Sequence, residues 1–161
     1  MQVLIREVER TWDAFWEAVY VDRDVAAAVG LLDAAATLVH IPIMAGGNDR
    51  AEVAEHVAGI AVPADLARER VSRTVDTRRL VDELRWTFTH DRELPWLLPG
   101  IAPTGRRLRV LAVSVVTVRR ARIASVRTLW DVDRLRAQVT AGRREPAADG
   151  SVTPLQTPTT L

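Results

Sequence analysis

The stretch RLVDELRWTFTHD, residues 79–91, decides how this chain folds. Leu84, Trp86, Phe88 and His90 share one parity, and Glu83, Arg85, Thr87, Thr89 and Asp91 the other. A period of two marks a strand with one buried and one polar face. The next periodic stretch, 106–119, contains RVLAVSVVTV, apolar at both parities, which predicts a central strand covered on each side. Residues 123–131 continue the pattern after a turn at Arg119 to Arg122, and residues 68–77 form a weaker strand before it. The second half of the chain is therefore a run of antiparallel strands.

Upstream the period changes to 3.6. Ile5, Val8, Trp12, Phe15, Trp16, Val19 and Tyr20 recur at helical spacing and predict one long amphipathic helix. Asp24 can cap a short second helix carrying Val25, Val29 and Leu32. ATLVHIPI, residues 36–43, reads as a strand ending near Pro42, and Gly46 and Gly47 make a loop. Asn48 or Asp49 then caps a third helix with Val53, Val57 and Ile60 inward, stopped by Pro63. About three N-terminal helices followed by a mostly antiparallel sheet define an α+β fold in which a curved sheet wraps around helical cover. Residues 1–140 form one domain. Residues 141–161, with prolines, small polar residues and no periodicity, are expected to be a disordered tail.

Composition narrows the chemistry. A chain of 161 residues, 48% apolar and 27% charged, can bury a core without metal or disulfide. With no cysteine there is no thiol nucleophile or thiolate metal site, and three histidines leave few ligands for zinc, so no metal and no cofactor is expected. All 22 basic residues are arginine, which removes lysine Schiff-base chemistry. A net charge of +1 does not ask for nucleic acid, and no apolar run is long enough for a membrane span. The opening MQVLIREVER lacks the uniformly apolar core of a signal peptide, so a cytoplasmic location is expected. Phosphate-loop, dinucleotide and G-x-S-x-G motifs are absent.

Three residues stand out as candidates for proton transfer. His90 ends the aromatic strip of Trp86 and Phe88, where a neutral imidazole can exchange a proton near neutral pH; the alternative is a hydrogen-bonded histidine at the core's edge. His40, on the first strand, is its candidate partner or a donor to a substrate carbonyl. Asp131 follows Trp130, and aromatic bulk beside a carboxylate can make it a base, although it can equally cap a terminal helix. His56 reads as a surface or flanking residue, and Glu83 and Arg85 as an ion pair on the polar face. Trp86, Phe88, Trp130, Trp96 and Leu98 are the expected pocket lining. The last two belong to RELPWLLPGIAPTGRR, residues 92–107, a proline-rich apolar loop suited either to roofing a pocket or to docking a second subunit.

HIPIMAGG at 40–47, FTHDRELPWLLPGIAPTGRR at 88–107 and IASVRTLWDVDRLRAQV at 123–139, in that order after a helix pair with a D-x-x-A element at Asp24, carry a likeness. Over residues 8–140 the chain resembles the nuclear transport factor 2-like superfamily, in its SnoaL-like branch. The resemblance implies a cone-shaped curved sheet closed by helices, an apolar pocket and a homodimer. It also implies a small apolar organic substrate, as in polyketide cyclases, ketosteroid isomerases, scytalone dehydratase and limonene epoxide hydrolase, some relatives having no activity. His40, His90 and Asp131 match cavity or rim positions of that pattern. Val126 stands where many relatives hold a carboxylate, and no Asp-Arg-Asp motif of the epoxide hydrolases is seen. The expectation is cofactor-independent acid–base chemistry: cyclisation, isomerisation or dehydration of a carbonyl compound. Epoxide opening, or a non-catalytic module holding a hydrophobic ligand, are the alternatives.

Overall fold

A computed structural model describes residues 1–141; the tail expected at 141–161 lies, from residue 142 on, outside the described residues. Four helices and six strands follow in the order α1 (Gln2–Tyr20), α2 (Val25–Gly30), β1 (Leu32–His40), β2 (Ala45–Gly47), α3 (Arg50–Gly59), β3 (Ala67–Val75), β4 (Arg79–Thr89), β5 (Arg107–Arg119), β6 (Arg122–Trp130) and α4 (Val132–Thr140). The six strands form one sheet in the order β2-β1-β6-β5-β4-β3. Every neighbouring pair is antiparallel except β1 with β6. The α+β architecture is the one the periodicity predicts, with two differences at β1 and β2. β1 starts at Leu32, so α2 ends two residues short of it.

The expected Gly46–Gly47 loop is a short edge strand. A side chain at Gly46 would lie 2.0 Å from the Leu38 carbonyl oxygen, and one at Gly47 would lie 2.4 Å from the Val53 nitrogen, so only glycine lets β2 fit between β1 and α3.

α1 lies across the inner face of the sheet, touching β3 to β6. Of the residues its spacing marks as apolar it buries Val8, Trp12, Phe15, Trp16, Val19 and Tyr20, with Ile5 half-buried at its start. Against them the sheet presents Leu80, Leu84, Trp86 and Phe88 from β4 and Leu108, Val110, Ala112, Val116 and Val118 from β5, all buried. The opposite face differs from expectation. β5 is interior to the sheet, yet Leu111 is 47% exposed on its outer face, and Val81 of β4 and Leu129 of β6 are exposed on the same face. In the single chain this strand is covered on one side only.

The loop after β4 turns inward. Leu94, Leu97 and Leu98 are fully buried, and the Trp96 indole donates to the Ala61 carbonyl at 2.6 Å. Of the two roles open to this loop, it takes the roof, with its apolar side chains spent within its own chain. The β5–β6 turn is a two-residue hairpin in which Arg120 and Ala121 both have positive φ, and Glu7 of α1 accepts from the Ala121 nitrogen.

Candidate active site

A polar row crosses the apolar inner face. In the strand register His40 pairs with Thr128, Thr128 with Ser114, Ser114 with Asp82 and Asp82 with Arg73. All five are buried or nearly so. The Ser114 and Thr128 hydroxyls hydrogen-bond each other at 3.0 Å. Polar groups so deep in a core persist when each has a partner.

At one end of the row His40, the last residue of β1, meets His56 of α3. Helix α3 begins at Asp49, whose carboxylate accepts from the Glu52 nitrogen, while Glu52 reaches back to the Asn48 nitrogen. That start sets the turn on which His56 falls, and its ring stands edge-on to His40 with centroids 5.1 Å apart. His56 is therefore half-buried against His40, not the surface residue its flanking glutamate and valine suggest; its Nε2 is shielded and unpartnered among the described residues. The rings of Trp96 and Trp130 approach His40 at 5.4 and 5.6 Å. His40 Nδ1 lies 3.3 Å from the Trp96 carbonyl oxygen, which makes Nδ1 the protonated nitrogen and Nε2 the free acceptor. Burial, reinforced by the positive charge His56 would carry, pushes the His40 pKa down to about 3 against the pull of the Trp96 carbonyl. His56 is also lowered, by burial. A cleft of about 200 Å³ opens between Glu55, His56, Ile60, Pro95 and Trp96; His56 lines it, and His40 lies behind His56 and Trp96.

The other end of the row is a charge cluster. Arg73 binds Asp82 through Nε at 2.9 Å and Nη2 at 2.7 Å, and Asp13 of α1 through Nη1 at 3.1 Å and Nη2 at 2.8 Å. The Trp12 indole donates to the same Asp82 at 2.9 Å. An aspartate–arginine–aspartate arrangement thus exists in space although the sequence shows no such local motif. Burial tends to raise the pKa of Asp13, but the hydrogen bond from Arg73 and the charges of Arg73, Arg70 and Arg68 hold it below the usual carboxylate range. Burial opposes the charge on Arg73, and its bonds to Asp82 and Asp13 more than restore it, raising its pKa.

The other expected site residues lie elsewhere. His90 is fully buried; its Nδ1 meets the Thr104 hydroxyl at 3.1 Å, and its backbone carbonyl accepts from the nitrogens of Thr104 and Gly105. It staples the Pro103–Arg107 turn to the end of β4, and its ring contacts run to Thr104 while those of His40 run to Trp96, Trp130 and His56. Burial lowers its pKa, with Asp91 opposing. Asp131 is exposed and caps α4, accepting from the Arg134 nitrogen at 2.8 Å, the second of its two readings. Trp86 reaches the site only through Trp96, at 5.9 Å, while Phe88 and Leu98 are core residues. Glu83 and Arg85 do not pair with each other: each turns to β3, Glu83 accepting from Ser72 and Arg85 bridging Glu69. A hollow of about 880 Å³ between the outer face of β4–β5 and α4 is lined by Arg85, Arg107, Arg109, Arg134 and the expected Asp131, and by neither His40 nor His90.

Asp82, Ser114 and Thr128 carry no local motif. Parity was the available signal: Asp82 and Ser114 sit at even positions of strands whose other even positions are apolar.

This mostly antiparallel sheet packed on an N-terminal helix is similar in fold to solved structures that include a protein assigned as a SnoaL-like polyketide cyclase from Jannaschia, 16% identical, covering 86% of this chain and 92% of its own with a TM-score of 0.64. No family model and no curated protein matches the sequence, so the likeness rests on solved structures. A second is an LEH-like epoxide hydrolase from M. tuberculosis, 16% identical, covering 86% and 90% with a TM-score of 0.60. A third, from Catenulispora acidiphila, has a ketosteroid isomerase-like fold and was solved in complex with trimethylamine; it is 15% identical and covers 81% and 92% with a TM-score of 0.62. At these identities the fold is shared, and the same fold hosts many chemistries. Among the described residues no helix is long and apolar enough to cross a membrane, and no three His, Asp or Glu side chains gather as metal ligands.

Proposed function

We propose that the protein catalyses cofactor-independent proton transfer next to the carbonyl of a small apolar compound, with His40 as the base and His56 as the donor to the carbonyl oxygen. The observation that carries this reading is the edge-on pair of imidazoles, of which His56 lines a cleft walled by Trp96 and His40 lies directly behind it. With Nδ1–H directed at the Trp96 carbonyl, His40 offers Nε2 as a proton acceptor. A base with so low a resting pKa abstracts a proton only when the anion it generates stays close, because the enolate then stabilises the imidazolium. His56, neutral with an unpartnered buried Nε2, supplies a hydrogen bond to that oxygen. The cleft is smaller than the usual ~300–1,000 Å³ of ligand pockets, which suits a compact substrate.

The test is deuterium uptake. Small cyclic and aromatic ketones incubated with the protein in D2O should exchange the hydrogens next to the carbonyl, read by mass spectrometry. H40Q should slow exchange at least about 100-fold, since a positioned acid or base contributes roughly 10²–10⁴. Exchange by H40Q at the wild-type rate would remove His40 from the reaction.

Epoxide opening is the second reading, favoured by the Asp13–Arg73–Asp82 arrangement. It ranks lower because Asp82 already accepts two bonds from Arg73 and one from Trp12, and a carboxylate so engaged activates water poorly. Dimerisation is proposed through the outer sheet face, where Val81, Leu111 and Leu129 are exposed.

A further inference from the structure

Beyond the His40 site, α1 and the β3 edge enclose a second set of polar atoms that lack partners. Trp16 Nε1, Trp86 Nε1 and Arg68 Nη1 are each shielded from solvent without a hydrogen-bond acceptor among the described residues. The three residues adjoin one another. The Arg68 guanidinium sits 4.1 Å from the Trp16 ring centroid, Arg68 and Trp86 are cross-strand partners on the inner face, and both indoles touch Tyr20, at 4.9 and 6.1 Å. Trp16 is 3% exposed and Trp86 2%, so bulk water does not solvate these N–H groups.

The other three tryptophans are served. Trp12 donates to Asp82, Trp96 to Ala61 and Trp130 to Leu97. Among the described residues the orphaned indole donors are therefore confined to this one neighbourhood, and they sit around a cation. The nearest acid to Arg68, Asp13 at 3.7 Å, is already held by two bonds from Arg73.

We infer that Trp16, Trp86 and Arg68 form a binding site for the carboxylate of a small aromatic or alicyclic acid, entered beside α1 at the β3 edge of the sheet. All three groups are donors, so the complement must be an acceptor, and an ionised carboxylate brings about four lone-pair sites and the opposite charge. A water or a neutral carbonyl offers about two acceptor sites and leaves one donor unsatisfied. The surrounding Tyr20 and Trp86 rings suit an apolar body, and the Arg68 guanidinium over the Trp16 ring favours an anion over an amine. Arg68 keeps part of its side chain at the surface, which marks the entrance. The site stands apart from the proton-transfer chemistry, although Trp96 touches both Trp86 and His40.

The test uses the whole chain labelled with ¹⁵N and reads its five indole N–H signals during titration with benzoate and cyclohexanecarboxylate, each against its methyl ester. Millimolar acid should shift the Trp16 and Trp86 signals, assigned through W16F and W86F, and leave Trp12 and Trp130 in place. R68Q should weaken the response at least about tenfold, the share of one charge-assisted bond. Equal response to acid and ester, no shift with either acid, or unchanged affinity in R68Q would each overturn the inference. H40Q should bind the acids as the wild type does, so failure of the proton-transfer reading and failure of this site are read separately.

Discussion

Replacing Arg73 by methionine tests whether the charged end of the polar row holds the fold together. Asp82 is completely buried, and apart from Trp12 its near partners are Arg73 and the more distant Arg70 at 3.6 Å. Methionine keeps much of the volume of the stem and removes both bonds to the carboxylate, leaving a buried charge with one close donor. Breaking a buried pair by removing one partner costs about 3–5 kcal/mol. Asp13 adds little, because it is one-third exposed and water takes over its solvation. At roughly 2–4 °C per kcal/mol for a domain of this size, R73M should melt about 6–20 °C below the wild type by circular dichroism at neutral pH. Adding D82N to R73M removes the stranded charge and should recover a substantial part of the loss, and the double-mutant cycle isolates the coupling. A melting temperature for R73M within 2–3 °C of the wild type, roughly 1 kcal/mol, would refute the idea that this ion pair anchors α1 and β3 to β4.

Other outcomes follow from the same geometry. His40 is held at a pKa of about 3 while its unfolded value is near 6.5, so the unfolded chain binds more protons between those values; stability should be full above pH 6.5 and fall by up to about 1.4 kcal/mol per pH unit below it. Urea unfolding between pH 6.5 and 4.5 measures this slope, and H40Q should reduce it to the part that His56 and His90 supply; an unchanged slope would place the protons elsewhere. H90Q should lower stability by loosening the Thr104 staple yet leave deuterium exchange within a few-fold of wild type, and a loss matching that of H40Q would return His90 to the chemistry. G46A places a methyl group against the Leu38 carbonyl and should destabilise by at least about 2 kcal/mol in the same urea assay. L111E/L129E should convert a dimer to a monomer in light scattering at micromolar concentration, and a wild-type mass of one chain would exclude the proposed interface.

The sequence by itself determined most of what local periodicity governs, the exception being the apolar outer parity of 106–119, which predicts a cover that the single chain does not supply. The two-residue alternation of 79–91 and 106–119, the helical stripe from Val8 to Tyr20 and the caps at Asp24 and Asp49 each appear in the structure because burying one face leaves a single arrangement of neighbours along the chain. The candidate site was legible only in fragments. His40 was visible as an inward histidine, whereas the meeting with His56 depends on where α3 lands across β1 and β2, a distance along the chain that no spacing rule encodes. Likewise Asp13, Arg73 and Asp82 share no motif along the chain, lying on α1, β3 and β4. Register alone makes Arg73 and Asp82 cross-strand partners, and the packing of α1 delivers Asp13. His90 and Asp131 have structural partners as well: His90 Nδ1 meets Thr104 in a turn while its Nε2 stays without a partner among the described residues, and Asp131 caps a helix start. Chain-local patterns fix which face of each element is buried. Which buried side chains then touch is set by strand order and helix docking, and that contact is where the chemistry is made.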